Sequence, residues 1–307
     1  MPTPSRGSSA LAVKRKGEVL LFDCGEGTQQ RMVAARIGFR RSTRIFITHL
    51  HGDHILGLPG LLQTMTLLRR ERPLYIYGPR GLLDFIKAFS STLGGPGFPL
   101  EVYEILDEGI VYSGAEYRVD AVRADHEGEC WSYAVVEHPR PGRFHPERAR
   151  ALGVPEGPLW GRIQHGADAV LDDGRLVRSA DVVDSPRRGR RIVYSGDTRP
   201  TEALVRLAEG ADILIHEATF DDVLTERAME DGHSTASQAA EVAAAAGVGM
   251  LMLTHISSRY PDPAVLLEQA RETFPNTRIA EDLMEVEVQP RPDPSTDAAV
   301  GGSPRRL

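Results

Sequence analysis

Thr48-His49-Leu50-His51-Gly52-Asp53-His54 packs three imidazoles and one carboxylate into seven residues. The run before it, Arg44-Ile45-Phe46-Ile47, is apolar and β-branched and predicts a short buried strand. The run after it, Gly57-Leu58-Pro59-Gly60-Leu61-Leu62, opens a helix that tolerates Pro59 in its first turn. The ligand-type side chains are therefore expected on a strand-to-helix loop held from both sides. Neutral imidazole and carboxylate suit zinc or a similar divalent ion. A surface loop with chance histidines does not need this spacing.

The same grammar recurs along the chain. Tyr117–Ala124 reads as a strand running into Asp125-His126-Glu127-Gly128. Arg191–Ser195 delivers Gly196-Asp197-Thr198, Ile213–Ile215 delivers His216-Glu217-Ala218-Thr219, and Gly249–Leu253 delivers Thr254-His255. His233-Ser234-Thr235 precedes an Ala-rich helix over 236–246, with Ser234 or Thr235 as N-cap. Upstream, a hairpin around Arg15-Lys16-Gly17-Glu18 leads to Asp23, read as a turn-fixing carboxylate that orients the metal loop. A helix over 263–273 and short strands near Ile279 and Met284–Val288 are expected to close the fold.

From about 138 to 190 the pattern changes. Pro, Gly and Arg dominate and periodicity weakens, which predicts an insertion with one short helix and one hairpin projecting from the core. The residues from 289 to 307 are Pro/Ser/Asp/Gly-rich and are expected to be a disordered tail. The remainder, 1–288, reads as one domain carrying the insertion.

Composition narrows the function classes. Hydrophobic residues at 41% and charged residues at 26% fit an ordinary globular protein of 307 residues with a large core. A net charge of −7 excludes a wholly basic nucleic-acid binder but leaves room for a local basic face. Two cysteines, Cys24 and Cys130, fit a reducing compartment without disulfides. No apolar run reaches the roughly 18 residues of a membrane span, and Met1–Arg6 lacks a signal-peptide core, so a cytoplasmic location is expected.

Strands that end together gather distant residues at one site. Seven of the ten histidines lie in or near the strand-end loops; only His138, His145 and His165 fall in the insertion. A two-metal arrangement follows, with Asp197 as the bridging carboxylate. His49, His51, His126 and Asp197 would hold one ion, and Asp53, His54, His255 and Asp197 the other. Cys130, close to His126 in sequence, is a rival ligand but begins the next strand.

These residues resemble the metallo-β-lactamase superfamily: Asp23 after its strand, the H-x-H-x-D-H loop, His126, Asp197 and His255. More narrowly, the chain is similar to ribonuclease Z, in its short form. The narrower resemblance rests on Pro2-Thr3-Pro4-Ser5-Arg6, Gly57–Leu62, Ser195-Gly196-Asp197-Thr198-Arg199-Pro200, His216-Glu217-Ala218-Thr219-Phe220, His233-Ser234-Thr235 and Thr254-His255-Ile256-Ser257-Ser258-Arg259-Tyr260. It covers about residues 2 to 288. Family members usually carry a short strand and a Gly-rich turn before the Pro-Thr-Pro-Ser-Arg words. Here Met1-Pro2 begins the sequence, so an unpaired sheet edge is expected, affecting stability rather than chemistry.

The resemblance implies an αβ/βα sandwich, two mixed sheets flanked by helices, with two Zn²⁺ per subunit (Mn²⁺ or Co²⁺ as substitutes) at one edge. It implies a homodimer that removes the 3′ trailer from precursor tRNA, cutting 3′ of the discriminator nucleotide. Asp53 would accept a proton from the attacking water, His233 would serve the scissile phosphate or the leaving oxygen, and Glu217 would orient His233; His216 reads as structural. The insertion resembles the family's flexible arm, with Gly157-Pro158 matching its Gly-Pro words and Arg140, Arg143, Arg148, Arg150 and Arg162 available to RNA, as is Arg6 in the main domain. Two other classes share part of this pattern: a small-molecule hydrolase of the same fold, which needs no such arm, and a metal-free RNA-binding scaffold, which needs no ligands.

Overall fold

The computed structural model describes residues 3, 4 and 6–289. The expected tail from 290 onward lies outside them. The chain divides into two compact units, one of them comprising Ala115–Tyr117 and Glu137–Arg190 and the other most of the remainder.

The larger unit is built on two sheets. The first has the order β1-β2-β3-β4-β5, from β1 (Leu11–Arg15), β2 (Glu18–Phe22), β3 (Ser42–Phe46), β4 (Leu74–Gly78) and β5 (Leu100–Glu104). β1 and β2 form a hairpin and the others run parallel, so the sheet is mixed. Helices α1 (Thr28–Ala34), α2 (Gly52–Ile55), α3 (Leu58–Leu67) and α4 (Leu82–Leu93) connect these strands. Leu21, Ile45, Ile47, Leu61, Leu62, Met65 and Ile76 form the layer between this sheet and its helices.

The second sheet has seven strands. β6 (Gly109–Ser113), β7 (Tyr117–Arg123) and β8 (Trp131–Glu137) lie on one side of β11 (Arg191–Tyr194). On its other side are β12 (Ile213–Glu217), β13 (Leu251–Thr254) and β14 (Thr277–Ile279), all parallel to it in turn. α8 (Glu202–Ala208), α9 (Thr225–Asp231), α10 (Ala236–Ala245) and α11 (Ala264–Thr273) complete this half. Small residues on α10 (Ala236, Ala239, Ala240, Ala243) pack against Leu214, Leu251 and Leu253. The helix begins at Thr235, whose hydroxyl accepts from Gln238 N while the Gln238 side chain returns to the Thr235 amide.

The two sheets meet through aromatic rings. Phe22 lies 5.8 Å from Tyr133 and 6.2 Å from Tyr194, and Phe46 lies 5.6 Å from Tyr133, centroid to centroid. β2 and β3 are buried on both faces, which explains why Val19–Phe22 and Ile45–Ile47 are continuous apolar runs rather than alternating ones. Truncating Phe46 to alanine here should cost about 3–5 kcal/mol. The molecule is thus an αβ/βα sandwich with two mixed sheets, and β2, β3, β11, β12 and β13 bring their C-terminal ends to the residues described below.

The smaller unit corrects the expectation of one helix and one hairpin. It has three helices, α5 (Pro146–Ala151), α6 (Pro158–Gln164) and α7 (Ser179–Val182), and a hairpin of β9 (Ala169–Val170) with β10 (Leu176–Val177). Ala149, Val154, Ile163, Leu171 and Val182 form its own small core, with Phe144 and Trp160 packed against it. A second correction concerns 284–288, where no strand forms among the described residues. Glu285 and Glu287 are exposed and Val286 is only partly covered, so the alternation has no sheet to serve. Instead Lys14 of the edge strand β1 pairs with Glu285, and Asp282 accepts from Gly7 N and Arg31 Nε.

Candidate metal centre

The opening motif folds as expected up to His51; Asp53 and His54 then fall on the one-turn helix α2 rather than in the loop. Two residues at the site have left-handed backbones without being glycine, Asp23 (φ 59°) and His255 (φ 53°). Such conformations are costly for ordinary residues and persist where surrounding contacts impose them.

For Asp23 those contacts are plain. Its fully buried carboxylate accepts from Thr48 N (2.8 Å), Thr48 Oγ1 (2.9 Å), His54 Nδ1 (2.8 Å) and Tyr194 Oη (2.9 Å). It is not a ligand-type group aimed at the cluster but the carboxylate that fixes His54. With Nδ1–H donated to Asp23, His54 presents the lone pair of Nε2. That atom is buried with no hydrogen-bond partner among the described residues, and stands 3.3 Å from Asp197 Oδ2.

His49, His255 and His126 are oriented in a similar way. Thr48 Oγ1, having donated to Asp23, accepts from His49 Nδ1 at 2.9 Å, and His49 Nε2 is left buried and unpartnered among the described residues. Thr219 Oγ1 donates to Glu217 Oε2 and accepts from His255 Nδ1 at 2.9 Å. His255 Nε2 then lies 3.4 Å from Asp53 Oδ2 and 3.5 Å from Asp197 Oδ2. His126 Nδ1 donates to Gly232 O at 2.8 Å, while its Nε2 faces His51 Nδ1 at 3.3 Å. A second partner that fixes the tautomer of each ring is the usual support of a metal-ligating histidine.

Ligand atoms converge in overlapping groups: His49, His51 and His126; His49, His54 and Asp197; Asp53, His54 and His255, each within 4.8 Å. All seven predicted ligands are thus brought together. Cys130 is not among them; its buried thiol points at Asp197 O, 3.4 Å away, and burial pushes its pKa well up. Burial, together with the neighbouring His54, drives the His49 pKa down to about 2, and burial lowers that of His126, so both are neutral imidazoles with lone pairs to offer. The adjacent His255 side chain holds Asp53 well below the usual carboxylate range. Lone pairs of buried imidazoles aimed at the same carboxylate repel unless a cation lies between them. The donor set therefore fits divalent metal, with the nitrogen and oxygen ligands zinc prefers.

Beside the cluster, Glu217 is fully enclosed and accepts from Thr198 N, Thr219 N, Thr219 Oγ1 and His233 Nδ1, the last at 2.8 Å. Burial disfavours the imidazolium of His233, but the bond to Glu217 and the charges of Glu217 and Asp197 outweigh it and raise its pKa. His216 is buried with Nδ1 on Glu217 O. Arg6 is tied to Tyr260 O. In the smaller unit Arg140, Arg143, Arg148, Arg150, Arg162, Gly157 and Pro158 are all exposed, Arg150 being paired with Glu156 and stacked on Trp160 at 5.4 Å. The hydroxyls of Thr48, Thr219 and Tyr194, and the Gly232 carbonyl, are the site groups that sequence reasoning did not name.

The chain matches known proteins along most of its length. The β-lactamase superfamily domain matches residues 172–256, and the family of the anti-Pycsar protein Apyc1 matches residues 5–93. Ribonuclease Z of Gemmatimonas aurantiaca is 49% identical over 94% of this chain and 92% of its own. Ribonuclease Z of Methanosarcina acetivorans is 47% identical over 95% of this chain and 96% of its own. The crystal structure of human tRNase Z, short form, superposes with a TM-score of 0.69 at 30% identity, covering 94% of this chain and 95% of that one.

Proposed function

The chain belongs to the ribonuclease Z family, and from this and the convergence of its buried imidazoles on one carboxylate we infer how its residues divide the reaction. The protein is a metal-dependent tRNA 3′-endonuclease that removes the trailer from precursor tRNA, leaving a 3′-hydroxyl on the tRNA and a 5′-phosphate on the trailer. We propose that it uses two zinc ions, one on His49, His51, His126 and Asp197, the other on Asp53, His54, His255 and Asp197. The observation that carries this is that His54, tied through Nδ1 to Asp23, turns its buried Nε2 toward Asp197 Oδ2 at 3.3 Å.

Bound divalent ions would lower the pKa of a water and offset the charge of the phosphodiester. The protein's own groups do the rest. Asp53 is half-exposed and ionised, so it can both ligate and take the proton of the attacking water. His233, with Nδ1–H on Glu217 and its raised pKa, is a proton donor for the leaving 3′-oxygen of the discriminator nucleotide. Glu217 has all its acceptor directions used within the protein, so its part is to aim His233.

The arm's exposed arginines are proposed to hold the tRNA body through phosphates, which positions a substrate without reading its sequence. Arg6, engaged with Tyr260 O, is a weaker candidate for RNA binding than the arm residues. A homodimer is proposed on the exposed apolar side chains of the first helical layer, Val33 on α1 and Leu67 with Leu68 at the end of α3, of which Leu67 is 80% exposed. No helix among the described residues is long and apolar enough to cross a membrane. Two buried free cysteines and a tRNA substrate support a cytoplasmic location. The test is cleavage of a trailer-bearing precursor tRNA with chelator and with zinc restored. No product with zinc would sink the nuclease reading. Cleavage of a simple phosphodiester without cleavage of the tRNA would favour the small-molecule hydrolase.

A further inference from the structure

We propose that Arg199 and Gly232 act as a latch that sets the tautomer and position of His126, and so governs one of the two ions independently of the other. The proposal rests on the reading that His126 is a ligand. His126 is delivered by the loop after β7, and its ring is oriented by a single acceptor, Gly232 O, at 2.8 Å. Gly232 closes α9 in the left-handed region (φ 79°). A Cβ added there would stand 2.8 Å from His126 Nδ1. Both the backbone angle and the closeness therefore call for glycine.

Arg199 ties that helix end to the His126 loop. Its Nε donates to Met229 O at 2.5 Å and Nη2 to Glu230 O at 3.4 Å, the final carbonyls of α9. Its Nη1 donates to Asp125 Oδ1 at 2.9 Å, the residue just before His126. The backbones join as well, Arg199 N to Asp125 O at 2.9 Å and Asp125 N to Thr198 Oγ1 at 3.0 Å. One planar guanidinium thus spans both halves of the His126–Gly232 bond, a geometry lysine cannot reproduce. A cation at a helix C-terminus is also favourable toward the dipole. The other ion's histidines, His54 and His255, are fixed through Asp23 and Thr219 and share neither element.

The test uses Gly232→Ala, Arg199→Ala and Arg199→Lys in the full chain, read in two ways. In the metal-free protein, ¹⁵N NMR of His126 should report the Nδ1–H tautomer in the parent and a shift toward the Nε2–H form in Gly232→Ala. Zinc titration against a chromophoric chelator should give two ions in the parent. In Gly232→Ala and Arg199→Ala one affinity should fall by about 10–100-fold and the other stay unchanged, with partial recovery in Arg199→Lys. Unchanged tautomer and affinities in a folded Gly232→Ala protein overturn the latch. Equal loss of both ions overturns its selectivity. A parent that takes up no zinc defeats the two-ion reading instead, and the tautomer measurement still decides the latch. Should Arg199→Ala fail to fold, Gly232→Ala and Asp125→Asn give the same two readouts.

Discussion

The metal centre and the smaller unit use polar residues in opposite ways. At the centre most of the carboxylates and imidazoles are buried, His51 being exposed and Asp53 half-exposed, and His49, His54, His126 and His255 each have one nitrogen engaged so that the other is aimed. In the smaller unit Arg143, Arg148, Arg150 and Arg162 stand in solvent around a core of a few aliphatic side chains, and the pair of Arg150 with Glu156 is exposed. Such pairs contribute about 0–1 kcal/mol. Chemistry at one phosphate requires groups pre-set to within a fraction of an ångström. Gripping many RNAs by their backbones requires only charge within reach.

The largest break in that contrast is Asp53→Ala. It removes a proposed ligand and the proposed proton acceptor together, so turnover should fall by about 10⁴-fold or more, while tRNA affinity, measured by filter binding, stays within about twofold because the arm is untouched. Normal cleavage by this variant would refute the assignment. Next is Glu217→Gln, expected to cost about 10²-fold in turnover. The charge of Glu217 is part of what raises the His233 pKa. Without it the imidazolium loses its proton at lower pH, so the alkaline limb of the pH–rate profile should move toward acid. An unmoved limb would mean that His233 is not the donor. Asp23→Asn is smaller again: it touches no ion directly, yet it loosens His54, and zinc affinity should drop by about 10-fold or somewhat more.

How far the sequence carried differs between the same two regions. The gathering of the candidate ligands was legible because strand ends deliver them: an apolar run followed by His, Asp or Glu marks a strand end, and strands that end together share an edge. Asp23 was legible too, from its place before Gly25 and after β2. Thr48, Thr219 and Tyr194 were not, since nothing in their spacing distinguishes a hydroxyl that orients a histidine from one that meets water. The smaller unit was under-read for a different reason. Helices of six and seven residues and strands of two give no measurable periodicity. The usable signs were Pro146 and Pro158, each at the first position of its helix. At 284–288 alternation misled, because a period of two predicts a strand only where a sheet edge is present to pair with it.

The smallest expected effect sharpens the contrast most. Replacing Arg143, Arg148 and Arg162 together by alanine removes three exposed charges without touching the small core. If they meet phosphates, KM for precursor tRNA should rise several-fold with kcat unchanged. The slope of log affinity against log salt should also shrink, by roughly 0.9 for each duplex phosphate no longer neutralised. Cleavage of a minimal acceptor-stem substrate should not change, since it lacks the tRNA body that the arm is proposed to hold. A fall in kcat with KM constant would mean that the arm shapes the chemistry instead. The division between a pre-set centre and a solvent-borne grip would then be wrong, and the glycine and prolines of the arm would merit the same scrutiny as the ligands.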